Sequence, residues 1–294
     1  MKNVETIQIN VTEKLKKVAT KKGGDLEGIS HTYFLERWLY RLSISHYQEK
    51  FLLKGDYLLA ALTNGIIPAP STISLSAKQM TQHRLELQRV FQEISAIQVP
   101  EDGVAFLGNE LKIVVEQDQV NIEIPVKLGQ MHSYIEINGS YREHQILKPK
   151  YTAFPTLLGT DSPTLLGKAA EVVIAEKFEA MIRLVDEEGR MKDFYDVYVL
   201  LNNQTIEGRV LQEAVWEIFD RHGARLEREL PILSEKFHLD AQRNEQWLAF
   251  SDQQDLAFEA VIKRIQKALT PIYNAIVNED EFFGNWDCKL QDWK

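Results

Sequence analysis

The run VNIEIPVKL alternates cleanly, with Val120, Ile122, Ile124 and Val126 on one face and polar residues on the other. Period-two polarity is the mark of a half-buried strand, because successive side chains point to opposite sides of a sheet. HSYIEINGS continues the pattern as a second strand. PSTISLS supplies a third, with Ile73 and Leu75 on one face and Thr72, Ser74 and Ser76 on the other. These runs all fall in the first 160 residues, and beyond them nearly every segment reads as helix. A sheet with helices in front and only helices behind implies an α+β architecture. The expected division is a mixed-sheet domain with N-terminal helices over 1–160 and a helical domain over 161–294.

The helices follow from spacing. Ile7, Val11, Leu15 and Val18 repeat at helical intervals until KKGGDLEG breaks the pattern. Ser30 is placed to cap a second helix whose apolar stripe is Phe34, Leu35, Trp38, Leu39 and Leu42. FLLK is a short buried strand, and Gly55 leads from it into a helix through DYLLAAL. KQMTQHRLELQRVFQEISAI reads as a long amphipathic helix with Leu85, Val90, Phe91 and Ile94 inward. FPTLLGTDSPTLLG has the composition of a linker. Further helices are expected at KAAEVVIAEKFEAMIRLV, MKDFYDVYVLLN and GRVLQEAVWEIFDR. A last one starts near Gln254, and Pro271 should kink or split it.

Composition excludes several classes. The net charge of -9 argues against charge-driven binding to duplex DNA, which requires many phosphates to be neutralised. The one basic cluster with a functional look is Arg183, Arg190 and Lys192, and a solvated helix face explains it equally well. The N-terminus has no apolar targeting core, and no run reaches membrane-spanning length. A single cysteine, Cys288, excludes an internal disulfide and fits a reducing compartment. The expectation is a soluble cytoplasmic protein. No histidine pair has metal-ligand spacing, and no Walker loop, GxGxxG turn or GxSxG elbow is present.

Two segments carry more. FLLK followed by Gly55 and a helix looks like the opening of the nucleotidyltransferase fold of the DNA polymerase β type. There a glycine turn and a helix N-terminus cradle nucleotide phosphates. VVIAEKFEAMIRL followed by RMKDFYDVYVLL resembles the AbiEii/AbiGii toxin family of nucleotidyltransferases, and FLERWLYRLSISHYQEKFLLKG fits the family's first helix and strand. The resemblance implies a nucleotidyltransferase toxin of the type IV toxin–antitoxin and phage-defence kind. It also implies Mg2+ and NTP as cofactor and substrate, an RNA end or nucleotide as ligand, and an antitoxin encoded nearby. By the same resemblance Lys177, Lys192, Asp193 and Asp196 are the catalytic-side residues, and Lys54, Gly55 and Asp56 form the nucleotide-binding turn.

The chain departs from the family at the metal site. The glycine pair of the turn is Gly55-Asp56, and the two metal-binding aspartates of the following strand fall on Thr72 and Ser74. The arginine and threonine before them fall on Pro68 and Pro70, and only Glu136, on a later strand, keeps an acid. Two-ion transfer needs carboxylates that hold and position both cations. Asp56, read as the helix N-cap, would also take the N–H groups that should bind phosphate. The expected protein is a toxin-family pseudoenzyme whose metal-dependent transfer is lost or altered. The alternative is an active NTP- and Mg-dependent transferase acting on an RNA end, with Asp56 and Glu136 as a relocated carboxylate pair for a changed chemistry.

Overall fold

The computed structural model describes residues 3–78, 83–140, 147–183, 190–224, 226–250 and 256–294. Its described residues divide into two compact units, the first ending at Lys168 and the second running from Ala169, with residues 147–148 also assigned to the second.

The first unit opens with α1 (Val4–Lys22) and α2 (Leu26–Ser43). Asp25, not Ser30, caps α2: its carboxylate accepts from the Gly28 N–H at 2.6 Å, while Ser30 lies one turn inside and buried. Asp25 has the extended backbone of a cap and directly precedes the first free N–H groups, which Ser30 is already past. Then come β1 (Phe51–Lys54), α3 (Gly55–Leu62), β2 (Thr72–Ala77) and α4 (Arg84–Ala96). Residues 79–82, the expected start of α4, lie outside the described ones. In α4 the inward set is Leu87, Val90, Phe91 and Ile94, whereas Leu85 points out at 79% exposure. Leu87, at i, i+3, i+4 and i+7 with the other three, completes the stripe that Leu85 does not share. The unit closes with β3 (Ala105–Phe106), β4 (Lys112–Glu116), β5 (Gln119–Leu128), β6 (Met131–Ser140), β7 (Lys150–Ala153) and β8 (Thr164–Gly167).

These strands form one mixed sheet in the order β3-β5-β6-β2-β1-β8-β7, with β4 also on β5. β2 runs antiparallel to β1 and parallel to β6, and β6 runs antiparallel to β5. The register aligns apolar rows on one face: Leu53 beside Leu75, and Ile73 beside Ile137 beside Ile122. All of these side chains are buried. Where the row reaches Gly139, an added Cβ would come within 2.4 Å of a Val120 methyl, so only glycine lets β5 and β6 close there.

FPTLLGTDSPTLLG is not a free linker. Its second half is β8, parallel to β1, and this pairing carries the first unit to Lys168, past the expected boundary at 160. Its first half is anchored by charges buried on α2. The Glu36 carboxylate accepts from the Leu157 N–H at 2.8 Å and the Thr160 hydroxyl at 3.2 Å. Arg37 donates to the Thr160 hydroxyl and the Asp161 carbonyl, both at 3.0 Å. Burial outweighs these bonds and holds the Glu36 pKa above the ordinary carboxylate range. One turn on, Arg41 and Arg37 converge on the fully buried Asp102, at 2.7 Å and 3.1 Å. Asp102 also accepts the Val104 N–H at 2.9 Å.

The second unit contains α5 (Ala170–Arg183), α6 (Met191–Asn203), β9 (Ile206–Glu207), α7 (Gly208–Arg221), α8 (Ala241–Phe250) and α9 (Phe258–Val277). It ends in β10 (Asn285–Asp287) and β11 (Asp292–Trp293). It is not wholly helical: β9, β10 and β11 form a small antiparallel sheet around the fully buried Trp286. α9 begins at Phe258 and continues through Pro271 without splitting. Ile265, Leu269, Ile272, Tyr273 and Ile276 are buried on both sides of the proline. That packing fixes the helix path despite the missing backbone donor.

Candidate functional site

On the face of the sheet opposite the apolar rows, the same register collects polar side chains. Thr72 on β2 stands beside Glu136 on β6, and Glu136 beside Glu123 on β5. One step along, Lys54, Ser74, Asn138 and Asn121 form the next row. Thr72, Ser74 and Glu136 therefore share one side, as the alternation in PSTISLS and HSYIEINGS requires. One strand spacing of about 4.8 Å and two residues of about 3.3 Å each put Ser74 and Glu136 roughly 8 Å apart at Cα. Lys54 reaches across β2 and donates to the Ser140 hydroxyl at 2.8 Å.

Gly55 links β1 to α3 at φ +67°, in the left-handed region. A Cβ there would lie 3.3 Å from Ser74 Cβ and 3.4 Å from its hydroxyl. Glycine thus serves twice, in conformation and in close approach, and it sets Ser74 directly against the turn. Gly55→Ala is expected to cost about 1–2 kcal/mol from the backbone alone. A lowered thermal midpoint would show this, and an unchanged midpoint would refute the backbone strain. The N-cap of α3 is Lys54, and Asp56 is the helix's second residue, not its cap as the sequence suggested. The helix begins at Gly55, one residue ahead of the expected cap. The Asp56 carboxylate still belongs to the first turn, beside the N–H groups a phosphate would need.

The donor set decides how well Mg2+ fits. Of Thr72, Ser74 and Glu136, only Glu136 is a carboxylate, and its neighbour Glu123 is bound to Lys112 at 2.6 Å. Among the described residues no group of three or more His, Cys, Asp or Glu is arranged to hold a metal ion. Two neutral hydroxyls and one acid do not match a two-ion centre, which uses carboxylates to hold and bridge its cations.

In the second unit, the residues named on α5 and α6 form one cluster. Lys177 lies 2.8 Å from Asp193 and 2.7 Å from Asp196. Lys192 lies 2.7 Å from Asp196, and Arg190 lies 3.2 Å from Asp193. The i, i+3 spacing of the two aspartates turns both toward α5, and Asp196 is buried to 1% exposure. Among the described residues its Oδ1 has no hydrogen-bond partner. An ammonium gripped by two carboxylates is fixed in place. The basic patch suggested by Arg183, Arg190 and Lys192 is neutralised locally, since Arg183 pairs with Glu179 at 2.7 Å and the other two with the aspartates. Spacing alone would have placed Asp193 and Asp196 on a solvated face. The lysine that draws them inward is on another helix.

A family model described as "Nucleotidyl transferase AbiEii toxin, Type IV TA system" matches residues 37–271. Among curated proteins none matches the chain. Two crystal structures from Helicobacter pylori are similar to it. One is JHP933, 12% identical over 87% of this chain and 95% of that chain, with a TM-score of 0.49. The other is described as a presumptive nucleotidyltransferase, 12% identical over 88% of this chain and 100% of that chain, with a TM-score of 0.50. At this identity the likeness concerns fold alone. No helix among the described residues is long and apolar enough to cross a membrane.

Proposed function

Because this chain belongs to the AbiEii nucleotidyl transferase toxin family of type IV toxin–antitoxin systems, we propose that it is a member in which standard metal-dependent nucleotidyl transfer is lost. The polar sheet face and glycine turn are kept for binding an RNA or nucleotide ligand. The observation that carries this reading is the row at the head of β2. Thr72 beside Glu136 and Ser74 one step along occupy the polar face, where a two-ion centre needs acids. Asp56 adds to the effect. A carboxylate about 4 Å from a phosphate charge costs roughly 1 kcal/mol in water and about 4 kcal/mol at an effective dielectric of 20.

A second reading has one observation in its favour. The Lys177, Lys192, Asp193 and Asp196 cluster is fully assembled, as an NTP- and Mg-dependent transferase acting on an RNA end would require. Under both readings the protein works in the cytoplasm with an antitoxin from the same system. Calorimetric titration with each NTP, with and without magnesium, separates them. The expected result is no magnesium-dependent binding. Micromolar binding that disappears in chelator would overturn the proposal and favour a relocated site on Asp56 and Glu136.

A further inference from the structure

The second unit carries a surface cleft of about 370 Å3 that the reading above does not use. One wall is α7, which presents Arg209, Glu213 and Trp216 at helical spacing, and the other is the turn Glu279–Glu281 after α9. Ile276 forms the floor. Trp216 leaves 52% of its surface exposed, although most large aromatic residues of this unit are buried.

The cleft is held open by bonds beneath it. The buried Gln212 donates to the Asp280 carbonyl at 2.6 Å and accepts from the Phe282 N–H at 2.9 Å. The Gly208 N–H bonds the Gly284 carbonyl at 2.8 Å, so the acidic turn is fastened to α7 at both ends. Glu281 pairs with Arg209 at 3.1 Å. Among the described residues Glu213, Glu279 and the Asp280 carboxylate enter no ion pair. The turn also follows the C-terminus of α9, the negative end of a 20-residue helix. Three carboxylates outside ion pairs and a helix C-terminus thus line the same cleft as the half-exposed indole.

We propose that this cleft docks an arginine or lysine side chain carried on a basic segment of a partner polypeptide. Charge complementarity selects the occupant, because every uncompensated charge in the cleft is negative. The indole face selects an organic cation: a guanidinium or ammonium stacks on it while its stem covers Ile276, which a hydrated metal ion cannot do. The volume suits one or two side chains, and the fastened walls leave little ordering to be done on binding.

The test follows the Trp216 indole N–H resonance, assigned with Trp216→Phe, during titration with the peptide Ac-Gly-Arg-Gly-Gly-Arg-NH2. Saturable, salt-sensitive shifts are expected, with none for the glutamine analogue of the peptide. Glu213→Gln with Glu279→Gln should weaken binding by about tenfold, as truncating charges at a close charged contact does. All the altered side chains are exposed, and an unchanged thermal midpoint confirms that the variants fold. Absent shifts, equal binding by the double variant, or spermidine binding as tightly as the peptide would each overturn the proposal.

Discussion

Asp102→Ala is expected to be the most destabilising single substitution in the first unit, at about 3–5 kcal/mol. Arg37, Arg41 and Asp102 are exposed by 2% or less. Removing the shared carboxylate would leave Arg41 without a counter-charge in a dry interior and Arg37 with only Glu36, 3.7 Å away. A loss of that size is a large part of the roughly 5–15 kcal/mol that holds a typical domain together. The Val104 N–H would lose its acceptor as well. Replacing both arginines along with Asp102, by leucine or methionine, should recover part of the loss, because an apolar group of similar volume needs no partner. Recovery would be incomplete. The carbonyls of Ile97, Val104 and Asp161 now accept from these arginines and would be left unmet. Urea unfolding measures all three proteins; a loss below about 1 kcal/mol for Asp102→Ala would show that water reaches the cluster.

This network also shows where the sequence stops being legible. The α2 stripe of Phe34, Leu35, Trp38, Leu39 and Leu42 was readable from local spacing. Arg37 and Arg41 lie between those positions, and local spacing gives them no role. The carboxylate they share, Asp102, is more than 60 residues away, and nothing within one helix reveals it. The strands were legible for the opposite reason. STISLS and VNIEIPV declare burial by their own alternation and FLLK by its unbroken apolar run, and only the pairing order had to come from the fold. At the site, the polar face followed from that alternation, and the family motif pointed to Lys177, Asp193 and Asp196. The cap of α3 did not follow. The turn at Gly55 is a property of the backbone path, and the helix that begins there holds Asp56 in its first turn. The acidic cleft around Trp216 was equally silent, because its two walls are more than 60 residues apart in the chain.

Restoring magnesium-dependent nucleotide binding is expected to require three substitutions together: Asp56→Gly, Thr72→Asp and Ser74→Asp. Each addresses a different fault in the same ground state. An aspartate at 72 would stand directly beside Glu136, and one at 74 would lie against the Gly55 turn. That pair supplies the acids a two-ion centre uses. Without Asp56→Gly, however, a carboxylate remains in the first turn of α3 and repels the phosphates those ions would bring. Asp56→Gly alone frees the turn but leaves the metal without ligands, so each partial variant should gain little. Crowding carboxylates onto adjacent strands also destabilises the apo protein, and glycine within a helix costs about 1 kcal/mol more. The triple variant should therefore melt below the unmodified protein in chelator. It should then rise with magnesium and NTP, since a ligand at 100 times its dissociation constant contributes about 2.7 kcal/mol. The unmodified protein should show no such rise. Equal magnesium-dependent stabilisation of the double variant Thr72→Asp/Ser74→Asp would show that Asp56 is no obstacle. A triple variant that stays inert would show that the fault lies beyond these three positions. Catalysis need not return with binding, because Pro68 and Pro70 still stand where the family carries its arginine and threonine.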